Sequence, residues 1–180
     1  MSASTGRMGD TVHERCEACG FDGSVYDNTS LIEALSALGG SWRRLLVDAG
    51  AELRTRPAPE VWSAIEYAAH SRDITALHCF GVEQALTGTE PVYPAIMADD
   101  LIASAAATYK AEDPQLVVDA LDAEAGRLAS MAAGATDTAW EFGLTIGEDR
   151  STVRRLLEHA LHDSLHHIDD VVSGLRLVRS

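Results

Sequence analysis

The stretch Val153-Arg154-Arg155-Leu156-Leu157-Glu158-His159-Ala160-Leu161-His162-Asp163-Ser164-Leu165-His166-His167-Ile168-Asp169-Asp170-Val171 decides the fold. At about 100° per residue, Val153, Leu157, Ala160, Leu161, Ile168, Val171 and Leu175 form one apolar stripe. A stripe this long predicts an amphipathic helix from Ser151 to about Leu175, with Gly174 near its end, that buries one face against other helices. The same periodicity recurs upstream. A first helix opens at Asn28-Thr29-Ser30, where Ser30 and Glu33 suit a capping box, and carries Leu31, Leu35, Leu38, Trp42, Leu45 and Leu46. The breaker Arg54-Thr55-Arg56-Pro57-Ala58-Pro59 separates it from a second helix of about Glu60 to Leu86, ended by Gly88 through Pro94. Asp113-Pro114 reads as N-cap plus first-turn proline and opens a third helix to about Met131. Four long helices predict an all-α protein, an antiparallel four-helix bundle over residues 28–180. An irregular N-terminal arm, residues 1–27, precedes it, with Gly6, Gly9, Gly20 and Gly23 breaking any helix. Two segments stand apart. Asp99-Asp100-Leu101-Ile102 either begins a short helix or belongs to a loop over a pocket, and Trp140 to Ile146 is the one strand-like patch.

Composition narrows the function classes. The chain has 180 residues, 46% of them apolar, enough for one domain with a real core. Its formal net charge of −14 repels phosphate backbones and anionic headgroups, so neither nucleic acid nor membrane is an expected partner. No apolar run reaches the roughly 20 residues of a membrane span, and Met1 to Asp10 lacks an apolar signal segment. Three cysteines argue against a disulfide framework and fit a reducing compartment, so a cytoplasmic location is expected. A bundle of this size is also expected to be able to pair as a homodimer through an exposed apolar helix face.

Four of the seven histidines fall within nine residues, His159 to His167. Imidazole and carboxylate spaced i and i+4 reach one ion from one helix face. Two pairs have that spacing, Asp163/His167 and His162/His166. The apolar stripe favours Asp163 and His167 as the inward pair. His162 and His166 fall opposite, beside Arg155, Glu158 and Asp169, as outer residues or alternate ligands. On the second helix, Glu66, His70 and Asp73 share a face with Trp62, Ala69, Leu77 and Phe80. Ionisable groups aimed at an apolar core need partners or a metal. His70 with Asp163 and His167 makes a three-ligand facial site with positions left for water or substrate. Glu66 and Asp73 would then orient the His70 imidazole as hydrogen-bond acceptors behind it. His78 lies off this face and reads as structural.

Cys16-Glu17-Ala18-Cys19-Gly20 in the arm is half of a zinc knuckle, with His13 a similar step before it and Cys79 the remaining thiol. Three readings stand side by side: free surface thiols, a partial or inter-subunit zinc site, and a redox pair.

The phrases Trp62-Ser63-Ala64-Ile65-Glu66-Tyr67-Ala68-Ala69-His70-Ser71-Arg72-Asp73 and His162-Asp163-Ser164-Leu165-His166-His167-Ile168-Asp169-Asp170-Val171 resemble the ligand-bearing segments of the DinB-like superfamily of metal-binding four-helix bundles. The resemblance covers roughly residues 28–175. That superfamily includes mycothiol- and bacillithiol-dependent enzymes. Many members have histidine at the position matching Asp163. The mycothiol-dependent maleylpyruvate isomerases instead resemble this chain, with an acid there and a histidine four residues on. The resemblance implies a divalent ion, zinc first and nickel as alternate, held by His70, Asp163 and His167. It also implies a thiol such as mycothiol, a small-molecule substrate, and thiol transfer or isomerisation. For a metal-held thiolate of that kind, His166 and Asp73 are the candidates to move protons. Metal-dependent hydrolysis and a non-enzymatic ligand-binding bundle are the competing readings.

Overall fold

The computed structural model describes residues 13–94 and 105–180. Met1 to Asp10 and Asp99-Asp100-Leu101-Ile102 lie outside the described residues. The helices are α1 (Asn28–Ser36), α2 (Leu38–Ala49), α3 (Ala64–Ala85), α4 (Pro114–Gly134) and α5 (Val153–Arg179). The first two form a single bundle helix jointed at Ala37, whose N–H still donates to the carbonyl of Glu33 at 3.1 Å. Its N-cap is Asp27: the carboxylate accepts the Ser30 N–H at 2.7 Å and the Ser30 hydroxyl at 2.6 Å. Ser30 is therefore a donor inside the first turn, and the expected Ser30/Glu33 box does not form. Asp113 caps α4 as the sequence predicts, accepting from the N–H groups of Gln115 and Leu116. α5 does not stop near Gly174. That glycine sits where a Cβ would come 3.3 Å from the Pro57 ring, so it marks a close approach inside the helix.

The bundle's directions follow from cross-helix contacts. α1/α2 runs alongside α5 in the same sense: Asn28 meets Arg154, Trp42 meets Ser164 and Asp48 meets Arg179. It opposes α4, with Gly39 against Asp122 and Arg43 on Asp119. α3 runs with α4, as Cys79 bonds Glu124 and Glu83 meets Arg127. It opposes α5, with His70 beside His167 and His78 beside His159. The expected antiparallel packing holds for α1/α2 with α4 and for α3 with α5, while the other two neighbouring pairs are parallel.

The strand-like patch is smaller than expected and better partnered. Residues 137–141 form a 3-10 turn that buries Trp140. The strand proper, β2 (Gly143–Ile146), lies between β1 (Val92–Tyr93), parallel to it, and β3 (Asp149–Thr152), antiparallel. Gly147, at φ +63°, supplies the left-handed residue of the two-residue β2–β3 turn. The core runs along the bundle axis through Leu31, Leu35, Trp42, Ile65, Leu121, Leu128, Leu157 and Leu161. Leu77 and Phe80, expected on the inward face, are 42% and 47% exposed. Thr75, His78, Cys79 and Val82 take the buried positions at that level. No helix among the described residues is long and apolar enough to cross a membrane.

Candidate metal centre

α3 brings His70 to the bundle interior on its second turn, and α5 presents Asp163 and His167 one turn apart opposite it. His70 Nε2 lies 4.0 Å from Asp163 Oδ1, and His167 Nε2 lies 3.6 Å from the same oxygen. One donor atom from each residue lies within 4.8 Å of the other two. A zinc ion with bonds of about 2.0–2.2 Å places its ligand atoms about 3.4 Å apart, so small side-chain rotations bring these three into coordination. The donor set fits an ion in another respect. His70 is 6% exposed, and its Nδ1 is buried with no hydrogen-bond partner. Burial, ahead of the opposing pull of Asp163, lowers the His70 pKa and favours the neutral imidazole that coordination requires.

The surroundings hold the ligands in place. Asp170 Oδ2 lies 2.9 Å from His167 Nδ1, fixing the tautomer whose Nε2 lone pair faces Asp163. Sequence reasoning missed Asp170, although its i+3 spacing from His167 is a readable signal. The Tyr67 and His167 ring centres lie 5.0 Å apart, and those of Trp62 and His70 lie 5.2 Å apart in an edge-to-face arrangement. Tyr109 stands edge-on to Trp62, and its hydroxyl donates to Asp73 Oδ2 at 2.8 Å. Two aromatic rings thus flank the ligand side chains, with Tyr109 behind Trp62.

Neither acid expected to orient His70 does so. Asp73 takes the Tyr109 hydroxyl and the Arg72 guanidinium. Glu66 is spent on the start of its own helix, accepting the Ser63 N–H at 2.9 Å, the Ser63 hydroxyl at 2.6 Å and Arg56. The Ser63-x2-Glu66 spacing is a capping box, the sequence signal that competes with a metal-site role. Burial opposes ionisation of Glu66, but the hydrogen bonds from Arg56 and Ser63 outweigh it and hold the pKa at about 2, against an ordinary 4.5. A depressed carboxylate pKa stabilises the fold above the unfolded value and loses that contribution as pH falls through the folded one. Glu66→Gln should cost about 1–3 kcal/mol at neutral pH. Its deficit against wild type in urea titrations should shrink as the pH falls from 4.5 towards 2. A deficit unchanged over that range would refute this account.

His162 and His166, the alternate ligands, face away from His70. The arm covers that side of α5. His166 Nδ1 lies 3.9 Å from Cys16 Sγ, and the Phe21 ring lies 5.1 Å from His162. His166, expected as a proton carrier, thus stands on the arm side of the helix. Glu14 reaches α5 at Arg155, His159 and His162. Burial works against its charge, yet His159, His162 and Arg155 together drive its pKa far below the usual range. His78 is structural as expected, with Nδ1 2.8 Å from the Ile74 carbonyl and burial lowering its pKa to about 4.

The fold and these residues define a four-helix bundle with a cluster of imidazole and carboxylate donors able to hold a metal ion. The family model of the DinB superfamily matches residues 30–171, and the chain belongs to that superfamily. The bundle is similar to YfiT from Bacillus subtilis, described as a probable metal-dependent hydrolase with an unusual four-helix bundle topology. The TM-score is 0.71 at 21% identity, over 83% of this chain and 86% of that one, which establishes a shared fold. No curated protein matches the chain.

Proposed function

We propose that the protein is a zinc-dependent enzyme of small-molecule chemistry that uses a low-molecular-weight thiol as its nucleophile. The observation that carries the reading is the convergence of His70 Nε2 and His167 Nε2 on Asp163 Oδ1 at the wall of an apolar core. Three protein ligands leave coordination positions free, and a zinc ion there lowers the pKa of a bound thiol or water towards neutrality. The chain's own residues do the rest. Asp170 fixes the His167 tautomer, and Trp62, Tyr67 and Tyr109 limit water around the ligands. In this reading Asp73, which accepts from Tyr109 and Arg72 beside this wall, takes a proton from the substrate. The thiol is supported by the acid-x3-His pair Asp163/His167, the pattern of the mycothiol-dependent maleylpyruvate isomerases. Mycothiol is the first thiol to test, with nickel as the alternate ion.

Conjugation of monobromobimane to mycothiol by the zinc-loaded protein tests the reading. We expect a rate above the uncatalysed one that His167→Ala abolishes, and a rate indifferent to that substitution would overturn it. Likeness to YfiT supports a second reading, in which water is the nucleophile. Thiol-independent ester cleavage lost in the same variant would replace the first reading with this one.

A further inference from the structure

The arm carries a second constellation that the centre above does not use. Cys16 and Cys19 sit on a tight loop: the Cys16 N–H donates to the Phe21 carbonyl at 2.9 Å, and Arg15 and Asp22 form a β-bridge across the loop's base. Gly20 stands at φ +74°, a left-handed position that suits glycine. Such a turn presents two thiols to one side, as a zinc knuckle does. Opposite it, α5 presents His162 and His166, one turn apart. One donor atom from each of the four residues falls within 4.8 Å of the other three. Cys16 Sγ to His166 Nδ1 is 3.9 Å. Zn–S bonds of about 2.3 Å and Zn–N bonds of about 2.0 Å put sulfur and nitrogen about 3.5 Å apart around a tetrahedral ion. The cysteines are free of any disulfide, and Cys79 is elsewhere, its thiol donating to the Glu124 carbonyl.

His162 gives the independent pointer to a ligand. Its side chain is 14% exposed, and neither ring nitrogen makes a hydrogen bond. Nδ1 lies 3.0 Å from Glu14 Oε1 but misaligned for a bond, which leaves Nε2 without any partner. A metal on Nε2 with a carboxylate behind Nδ1 is the usual way a zinc-bound imidazole is held.

We propose that Cys16, Cys19, His162 and His166 form a second zinc site that clamps the N-terminal arm onto α5. It shares no ligand with the His70/Asp163/His167 cluster. α5 offers two i, i+4 pairs displaced by one residue, about 100° around the helix, and each serves a different side. All four ligands are protein groups, so the site is closed and structural. All four also come from one chain, so no second copy is needed to complete it.

Zinc counting on the full chain, loaded and freed of excess metal, tests this. We expect two ions per chain in wild type, one in the Cys16→Ser/Cys19→Ser variant and one in the His70→Ala/His167→Ala variant. Cobalt in place of zinc should give thiolate-to-cobalt charge-transfer absorption in wild type and in the histidine variant, and none in the serine variant. If the serine variant does not fold, thiol accessibility in wild type decides. An aromatic disulfide reagent should react with Cys16 and Cys19 more than about tenfold faster after chelation than before, because coordination occupies the thiolates. Unchanged zinc content in the serine variant, no charge-transfer band in wild type, equal thiol rates, or a Cys16–Cys19 disulfide in fresh protein would each overturn the site. Loss of metal from the His70 cluster alone would leave it standing.

Discussion

Glu158→Ala is expected to destabilise the protein by about 3–5 kcal/mol, the range for removing one partner of a buried ion pair. Glu158 is fully buried, although it lies on the polar side of α5. Its Oε1 accepts from Arg154 Nε one turn earlier and lies 2.8 Å from His13 Nδ1. Its Oε2 accepts the Glu14 N–H at 2.7 Å. Arg154 in turn donates to the carbonyls of Gly23 and Tyr26 and to Asn28 Oδ1. The carboxylate therefore joins helix, arm and first-helix N-terminus. Its loss leaves a guanidinium only 9% exposed without its counter-charge and the Glu14 N–H without an acceptor. For a chain of this size the cost corresponds to a fall in melting temperature of about 10 °C. Gly23→Ala should act in the same direction, since its Cβ would collide with the Glu158 carboxylate. Urea unfolding of both variants checks this, and a Glu158→Ala change under about 0.5 kcal/mol, the ordinary surface value, would refute it.

That buried glutamate also marks where sequence reading stops. The four bundle helices were legible because each carries apolar residues at helical spacing, and the stripe on α5 alone separates Asp163 and His167 from His162 and His166. The stripe says which side faces the bundle, but not what covers the other side. Periodicity assigns Arg155, Glu158, His162 and His166 to an outer face, and short glycine-broken arms leave no periodic trace of where they dock. Hence periodicity alone gives no reason to pair Cys16 and Cys19 with His162 and His166, which share a helix with Asp163 and His167. The fate of Glu66 has a different cause: on a helical wheel it stands near His70, while its position three residues after Ser63 commits it to the N-cap. The parallel sense of α3 and α4 was hidden as well, since loop length permits a crossover without requiring one. β3 was missed because Asp149-Arg150-Ser151-Thr152 has no apolar alternation and is held only by its ladder to β2.

His167→Ala is expected to weaken zinc binding at the His70 cluster by more than about a hundredfold. That figure is the upper end for losing a hydrogen-bond partner of a ligand, and this substitution removes one of the three candidate donors themselves. Two donors remain, His70 Nε2 and Asp163 Oδ1, 4.0 Å apart, and nothing on α5 at that level replaces the third. His166 is the adjacent imidazole, but its Nδ1 faces Cys16 on the other side of the helix. Asp163→Ala should do the same. Asp163→His should retain the ion, because it converts the set to three imidazoles, a known catalytic zinc set, and the resemblance places histidine at that position in many family members. Asp170→Ala grades the effect: the ligands stay, the tautomer lock on His167 goes, and affinity should fall about 10–100-fold. Competition with a chromophoric chelator, on protein whose helical circular dichroism matches wild type, measures all four. Equal affinity in wild type and His167→Ala would remove the centre. An Asp163→His variant as weak as Asp163→Ala would instead show that the carboxylate's charge holds the ion, since both substitutions abolish that charge and only one restores a donor.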